Sequence, residues 1–227
     1  MQCVIAGCEY VGTTTLAKSI CGWLEQITGA KAGLHDHFKW PFLDHKPLAD
    51  DEIAQLMALS PRLREEHMRY MVEYHLSPNF FSSPHHIMVG MHLDEAVYAP
   101  LYYGYGGSGE YADRTVEARR VEAHIMEMAP HTMQVLVTAT PDVIATRMRA
   151  DPHPYGLLKE SDIENVLERF AEEHTRSLLR NKMVIDTSDA SPSQSLAEFV
   201  RSVLPFLTDT DRSRILVNSL GKDMYPR

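Results

Sequence analysis

Cysteine is scarce in this chain of 227 residues: Cys3, Cys8 and Cys21 are the whole set. An odd number without metal-knuckle spacing excludes a disulfide framework or a zinc ribbon, and reads as reduced thiols of an intracellular protein. No uninterrupted apolar run of roughly 18 residues is present, so no membrane span is expected. The apolar start is broken at once by glycines, which argues against a secretory leader and for a cytoplasmic protein. Positive charge is also short, with 22 Lys and Arg against 31 Asp and Glu and a net charge of −9. That balance opposes broad binding to nucleic acid or anionic membrane, while leaving room for a local basic channel. Internal repeats, low-complexity tracts and linkers are missing too. With 44% hydrophobic and 23% charged residues, the chain suits one soluble domain with a full core.

What is present alternates between strand and helix. Residues 2–6 read as a buried strand and 13–28 as an amphipathic helix, with Leu16, Ile20, Trp23, Leu24 and Ile27 at helical spacing. A short extended piece at 32–34 ends at His35-Asp36-His37-Phe38. Helices are expected over 50–59 and from Ser60-Pro61 to about Leu76, then a strand over 86–91. Residues 102–113, rich in Gly and Tyr, read as loop. A helix over 114–128, a strand over 133–138 and a helix from Pro141 to about Arg149 follow. Residues 151–156 must be loop. Ser161, with Glu164 at the capping-box position, starts a helix to about Leu179. A strand over 182–186 and a helix over 195–207 complete the pattern, while 208–227 is a polar tail suited to packing as an appendage or to assembly. Alternation of this kind predicts an α/β fold: a three-layer, mostly parallel sheet with helices on both faces.

The most informative stretch joins the first strand to the first helix. An apolar run ends at Gly7, four residues intervene, and Gly12 opens the helix. This is the context in which G-x-x-x-x-G-K-[ST] holds phosphate on backbone N–H groups. Thr13 stands where the lysine of that pattern would be. Threonine keeps a hydroxyl donor but not the cation that reaches the β- and γ-phosphates. Gly7, Gly12 and the amides of Thr13, Thr14 and Thr15 form the expected cradle, and Thr14 occupies the Mg²⁺-ligand position. Without a ligand the same loop would be a tight strand-to-helix turn.

At this loop the chain resembles the thymidylate kinase and deoxynucleoside kinase group of P-loop kinases, whose pattern is G-x-[DE]-G-x-G-K-T-T. It reads Gly7-Cys8-Glu9-Tyr10-Val11-Gly12-Thr13-Thr14-Thr15, departing at Tyr10, where glycine is usual, and at Thr13. A second match runs from His92-Leu93-Asp94-Glu95 through Val97-Tyr98-Ala99-Pro100, with Val89 and Gly90 in place of an Asp-Arg pair. Thr140-Pro141-Asp142-Val143, leading to Arg147-Met148-Arg149, and Ile185-Asp186-Thr187-Ser188 are the third and fourth. The resemblance implies a P-loop kinase-like domain over 1–207, with a lid near 147–160 and a separate tail at 208–227. It further implies ATP or another nucleoside triphosphate, Mg²⁺, and a small hydroxylated acceptor such as a nucleoside or nucleotide; a homodimer is compatible with it.

Asp36, following the second strand, is where related kinases place an acid against the acceptor hydroxyl; otherwise it is a turn aspartate. Phe38 and Trp40 are candidate stacking surfaces. Glu95 and Tyr98 match acceptor-site positions, or else are helix-start and packing residues. Arg147 and Arg149 are the candidate lid cations, with Lys159 and Lys39 as further sources of charge; alternatively the arginines form a solvated helix end. His35, His37, His85 and His86 have no further fixed ligands beside them, which argues for solvated or hydrogen-bonded histidines rather than a metal site. Two other functions stay open. One is a kinase relative that binds nucleotide with little or no turnover, given the two lost cations. The other is a sulfotransferase-like enzyme, since Gly12-Thr13-Thr14 also resembles the loop holding a sulfate donor's phosphate. Val11 stands where such enzymes carry a basic residue, and no clear arginine–serine pair follows for the donor's second phosphate.

Overall fold

The computed structural model describes residues 1–36, 49–81 and 83–224. Five strands, β1 (Gln2–Ala6), β2 (Gly33–Asp36), β3 (His86–Val89), β4 (Met133–Thr138) and β5 (Asn181–Asp186), form one parallel sheet in the order β2-β3-β1-β4-β5. β1 is central: Gln2 pairs with His86 on one side, and Cys3 with Met133 on the other. Because helices cover both faces of such a sheet, its inner strands are apolar without alternation. Cys3, Val4 and Ile5 accordingly show no exposed surface at all.

The helices are α1 (Thr13–Thr28), α2 (Asp50–Met57), α3 (Pro61–His75), α4 (Pro78–Phe81), α5 (His92–Tyr98), α6 (Arg114–Met128), α7 (Pro141–Ala150), α8 (Ile163–Arg176), α9 (Pro192–Val203) and α10 (Asp209–Met224). α1, α9 and α10 pack as one group, and α5, α6, α7 and α8 as another. Leu16, Ala17, Ile20 and Leu24 are the buried stripe of α1. Gly29 ends that helix in the left-handed region (φ 70°) and donates to the Glu25 carbonyl at 2.9 Å, a termination glycine performs without a Cβ clash.

Several boundaries differ from expectation for local reasons. α5 continues into one π-helical turn, Ala99–Tyr103, so the loop begins only at Gly104. Ser161 does not cap α8: its hydroxyl donates to Asp162 at 2.9 Å, a 3₁₀ turn Glu160–Asp162 comes first, and α8 stops at Arg176. Lys182 then donates to the carbonyls of His174, Thr175 and Ser177 at 2.7–3.1 Å, satisfying that helix end. α9 starts before 195, because Ser191 and Gln194 form a capping box around Pro192. Residues 209–224 of the polar tail are helical. α10 lies on α1, where Asn218 donates to the Gln26 carbonyl at 3.1 Å.

Candidate functional site

The carboxyl ends of β1, β2 and β3 open onto a cavity of about 550 Å³, lined by the 7–15 loop, Asp36, Val89, Asp94, Tyr98, Arg147, Asp151, His153, Thr187 and the start of α9. Crevices at such strand ends are where ligands of open α/β sheets bind.

Two glycines shape the loop for different reasons. A Cβ on Gly7 would lie 2.3 Å from the Val137 carbonyl oxygen, so the loop can leave β1 this close to β4 only without a side chain. Gly12 has φ 92°, and its Cβ would point into open space. It is the N-cap of α1, and no side chain caps that end. The amides of Thr13, Thr14 and Thr15 therefore meet the cavity at the positive end of the helix dipole, an arrangement suited to an anion.

The loop is held by six residues around it. The Glu9 amide donates to the Tyr98 hydroxyl at 3.0 Å. The Thr187 hydroxyl donates to the Val11 carbonyl at 2.8 Å. Arg147 donates to the Tyr10 carbonyl at 3.0 Å, to the Thr187 hydroxyl at 3.1 Å and to the Thr187 carbonyl at 2.7 Å. The Glu9 carboxylate accepts from the Leu157 and Leu158 amides, both at 2.9 Å. His153 packs on Tyr10, with ring centroids 4.2 Å apart.

These contacts sort the residues chosen from the sequence. Gly7, Gly12, Thr13, Thr14, Thr15, Asp36, Tyr98 and Arg147 are brought to one cavity. Arg147 reaches it with its guanidinium already bonded to two carbonyls and a hydroxyl of the loop and the β5 end. Arg149 does not line it; it pairs with Glu160 at 2.5 Å on the surface. Lys159 is also away from the lining, with its ammonium 6.0 Å from the Tyr102 ring centroid. Tyr98 is fully enclosed, and burial pushes its phenol well above the ordinary range, so the hydroxyl stays protonated while holding the loop. Glu95 lies off the cavity in a buried cluster, accepting from Tyr105 at 2.8 Å and pairing with Arg114 at 3.2 Å. Phe38, Lys39, Trp40 and His37 lie outside the described residues.

Among the described residues, no group of three or more His, Cys, Asp or Glu is placed to hold a metal by itself. Mg²⁺ needs no such cage, since it keeps waters and binds through one or two protein oxygens plus substrate phosphates. The Thr14 hydroxyl and the Asp36 and Asp94 carboxylates on this cavity are hard oxygen donors of that kind. Sequence patterns did not reveal the parts played by Glu9, Tyr10, His153 and Thr187. The one available signal was Tyr10 itself, a bulky residue at a position that favours glycine.

No family model matches the chain, and no curated protein sequence does. Solved structures do resemble it. Thymidylate kinase from Candida albicans aligns over 94% of this chain and 93% of its own, with TM-score 0.57 and 12% identity. Deoxyadenosine kinase from M. mycoides with bound dATP aligns over 89% and 99%, with TM-score 0.56 and 12% identity. Thymidylate kinase from Ehrlichia chaffeensis aligns over 89% and 98%, with TM-score 0.50 and 14% identity. The class defined by this sheet order and loop is thus the P-loop kinase fold. The solved structures that share this fold with the chain include thymidylate and deoxyadenosine kinases. No helix among the described residues is long and apolar enough to cross a membrane.

Proposed function

We propose that the protein is an ATP-dependent phosphotransferase acting on a nucleoside, nucleotide or similar small hydroxylated acceptor. One observation carries this reading: the uncapped α1 amides behind a left-handed Gly12, facing a cavity of about 550 Å³ at the sheet's carboxyl edge. The fold likeness to a kinase solved with dATP supports a nucleoside triphosphate as the occupant. In this reading the Thr13–Thr15 amides bind the β- and γ-phosphates. Thr14 and a cavity carboxylate would hold Mg²⁺, which would supply the positive charge that shields the transferring group. Asp36 orients the acceptor hydroxyl and takes its proton as the new O–P bond forms, the bond to the β-phosphate oxygen breaks and ADP leaves. A cytoplasmic setting belongs to the same reading.

A second reading, nucleotide binding without turnover, is favoured by one specific observation. Thr13 replaces the loop lysine, and the guanidinium of Arg147 is committed to Tyr10 and Thr187. A melting titration with ATP, with and without Mg²⁺, beside a turnover assay on a panel of nucleosides and nucleotides, separates the two. Binding to the folded state stabilises it by about 2.7 kcal/mol at a hundred times Kd, so Mg·ATP is expected to raise Tm. A raised Tm without transfer to any acceptor establishes the second reading. Stabilisation by a nucleotide sulfate donor instead of ATP would move the assignment to sulfotransferase chemistry.

A further inference from the structure

Tyr10 adopts φ 68°, a left-handed conformation that is unfavourable for a bulky side chain. A residue kept there against its steric preference marks a constraint with a use, and the contacts of its side chain show one. The Tyr10 hydroxyl accepts from the His153 amide at 3.0 Å, and its ring stacks on the His153 ring at 21° and 4.2 Å. The preceding residue grips the same segment. The Glu9 side chain is only 3% exposed; its Oε2 faces His153 Nδ1 at 3.4 Å, and its Oε1 accepts from two successive amides, those of Leu157 and Leu158. Gly156 fits between the two: a Cβ there would lie 3.1 Å from Glu9 Oε2 and 3.3 Å from the Tyr10 hydroxyl. Arg147 closes the ring by holding the Tyr10 carbonyl.

We infer that Glu9 and Tyr10 are positioning residues which clasp the 151–158 segment onto the 7–15 loop. All the contacts of the clasp run between protein groups. The segment, which brings Asp151 and His153 to the cavity wall, is therefore set against the loop before a ligand arrives. Its ordering is not charged against the affinity. Only this link to affinity rests on the nucleotide reading; the clasp itself does not.

Hydrogen exchange on the full chain, free of nucleotide, tests it. Tyr10→Gly removes the ring and hydroxyl while relieving the backbone, so this variant is expected to fold. The amides of Leu157 and Leu158 are expected to exchange about tenfold faster or more, the effect of losing interactions that hold a local unit closed. The β1 and β4 amides should be unchanged. Tyr10→Phe keeps the stack and should fall between. Glu9→Gln keeps an oxygen for the two amides and should protect them far better than Glu9→Ala. Unaltered exchange of residues 157 and 158 in Tyr10→Gly overturns the clasp, whatever the Glu9 variants do. In calorimetry, Mg·ATP should bind Tyr10→Gly more weakly than wild type. Failure of the wild type to bind ATP would defeat the proposed function, leaving the clasp to be decided by exchange.

Discussion

At the scale of single residues, Gly12 and Gly7 sit five positions apart and are required for unrelated reasons. At Gly7 the obstacle is the Val137 carbonyl, a backbone neighbour that cannot move aside. At Gly12 nothing obstructs a side chain; the demand comes from φ 92° and from the space the Cβ would enter. A non-glycine residue in the left-handed region costs about 1–2 kcal/mol, which a well-packed domain survives. Gly12→Val should therefore yield a folded protein, a few degrees less stable, in which the isopropyl group occupies the volume needed by the phosphate. The expected calorimetric result is complete loss of ATP binding. A folded variant with wild-type affinity would show that the α1 amides are not the anion site.

At the scale of elements, Arg147 links α7, the 7–15 loop and the end of β5. As a cation acting on a transferring phosphoryl group, its removal would depress turnover far more than ATP binding. As a tether of the Tyr10 and Thr187 carbonyls, its removal should lower stability and ATP affinity together. The second outcome is expected of Arg147→Ala. Hydrogen bonds from a charged donor contribute about 1.5–3 kcal/mol each, so a loss of about 2 kcal/mol in stability is anticipated in denaturant titration. Intact stability and binding with collapsed turnover would restore the cation role. The contrast shows what was legible in the sequence. β1, the loop and α1 were readable because glycine spacing and an apolar run are local signals. The direction taken by the Arg147 guanidinium depends on Tyr10 and Thr187, respectively 137 and 40 positions away, and no local pattern encodes it. Ser161 misled for a related reason: its hydroxyl is spent on the adjacent Asp162, and a 3₁₀ turn takes the place of a capped start. α10 escaped notice because no apolar stripe marks its buried face: Ile215 packs on the core, while Leu216, Val217 and Leu220 are exposed.

At the scale of the whole molecule, histidines in different parts of the fold are held uncharged. Burial, with His86 and His75 alongside, lowers His35 on β2 to about 4. Burial and the nearby terminal amine lower His85 to about 4, and burial with Lys182 does the same to His174 on α8. The unfolded chain binds protons on these rings near the ordinary 6.5, above the folded values, so stability rises with pH across this interval. Their contribution is complete above about pH 6.5 and is lost as pH falls towards 4. Tm should drop by several degrees between pH 7 and pH 5, and His35→Gln or His174→Gln should flatten the slope. A Tm flat from pH 7 to 4.5 would contradict it.

The strand order carries a consequence for how the molecule comes to be made. β1 is the first strand of the chain and the centre of the sheet, yet its neighbours are residues 86–89 on one side and 133–136 on the other. During synthesis one edge of β1 can pair once β3 has emerged from the ribosome, but the other stays unpaired until residues 133–136 of β4 follow. Such long-range parallel pairing is slow to form and exposes an apolar edge in the meantime. The strand that ends in the 7–15 loop is thus made well before both of its neighbours and is among the latest enclosed. Nascent chains halted between β3 and β4 would present Cys3, Val4 and Ile5 as an open template for aggregation, which makes this interval the one in which a chaperone has most to protect.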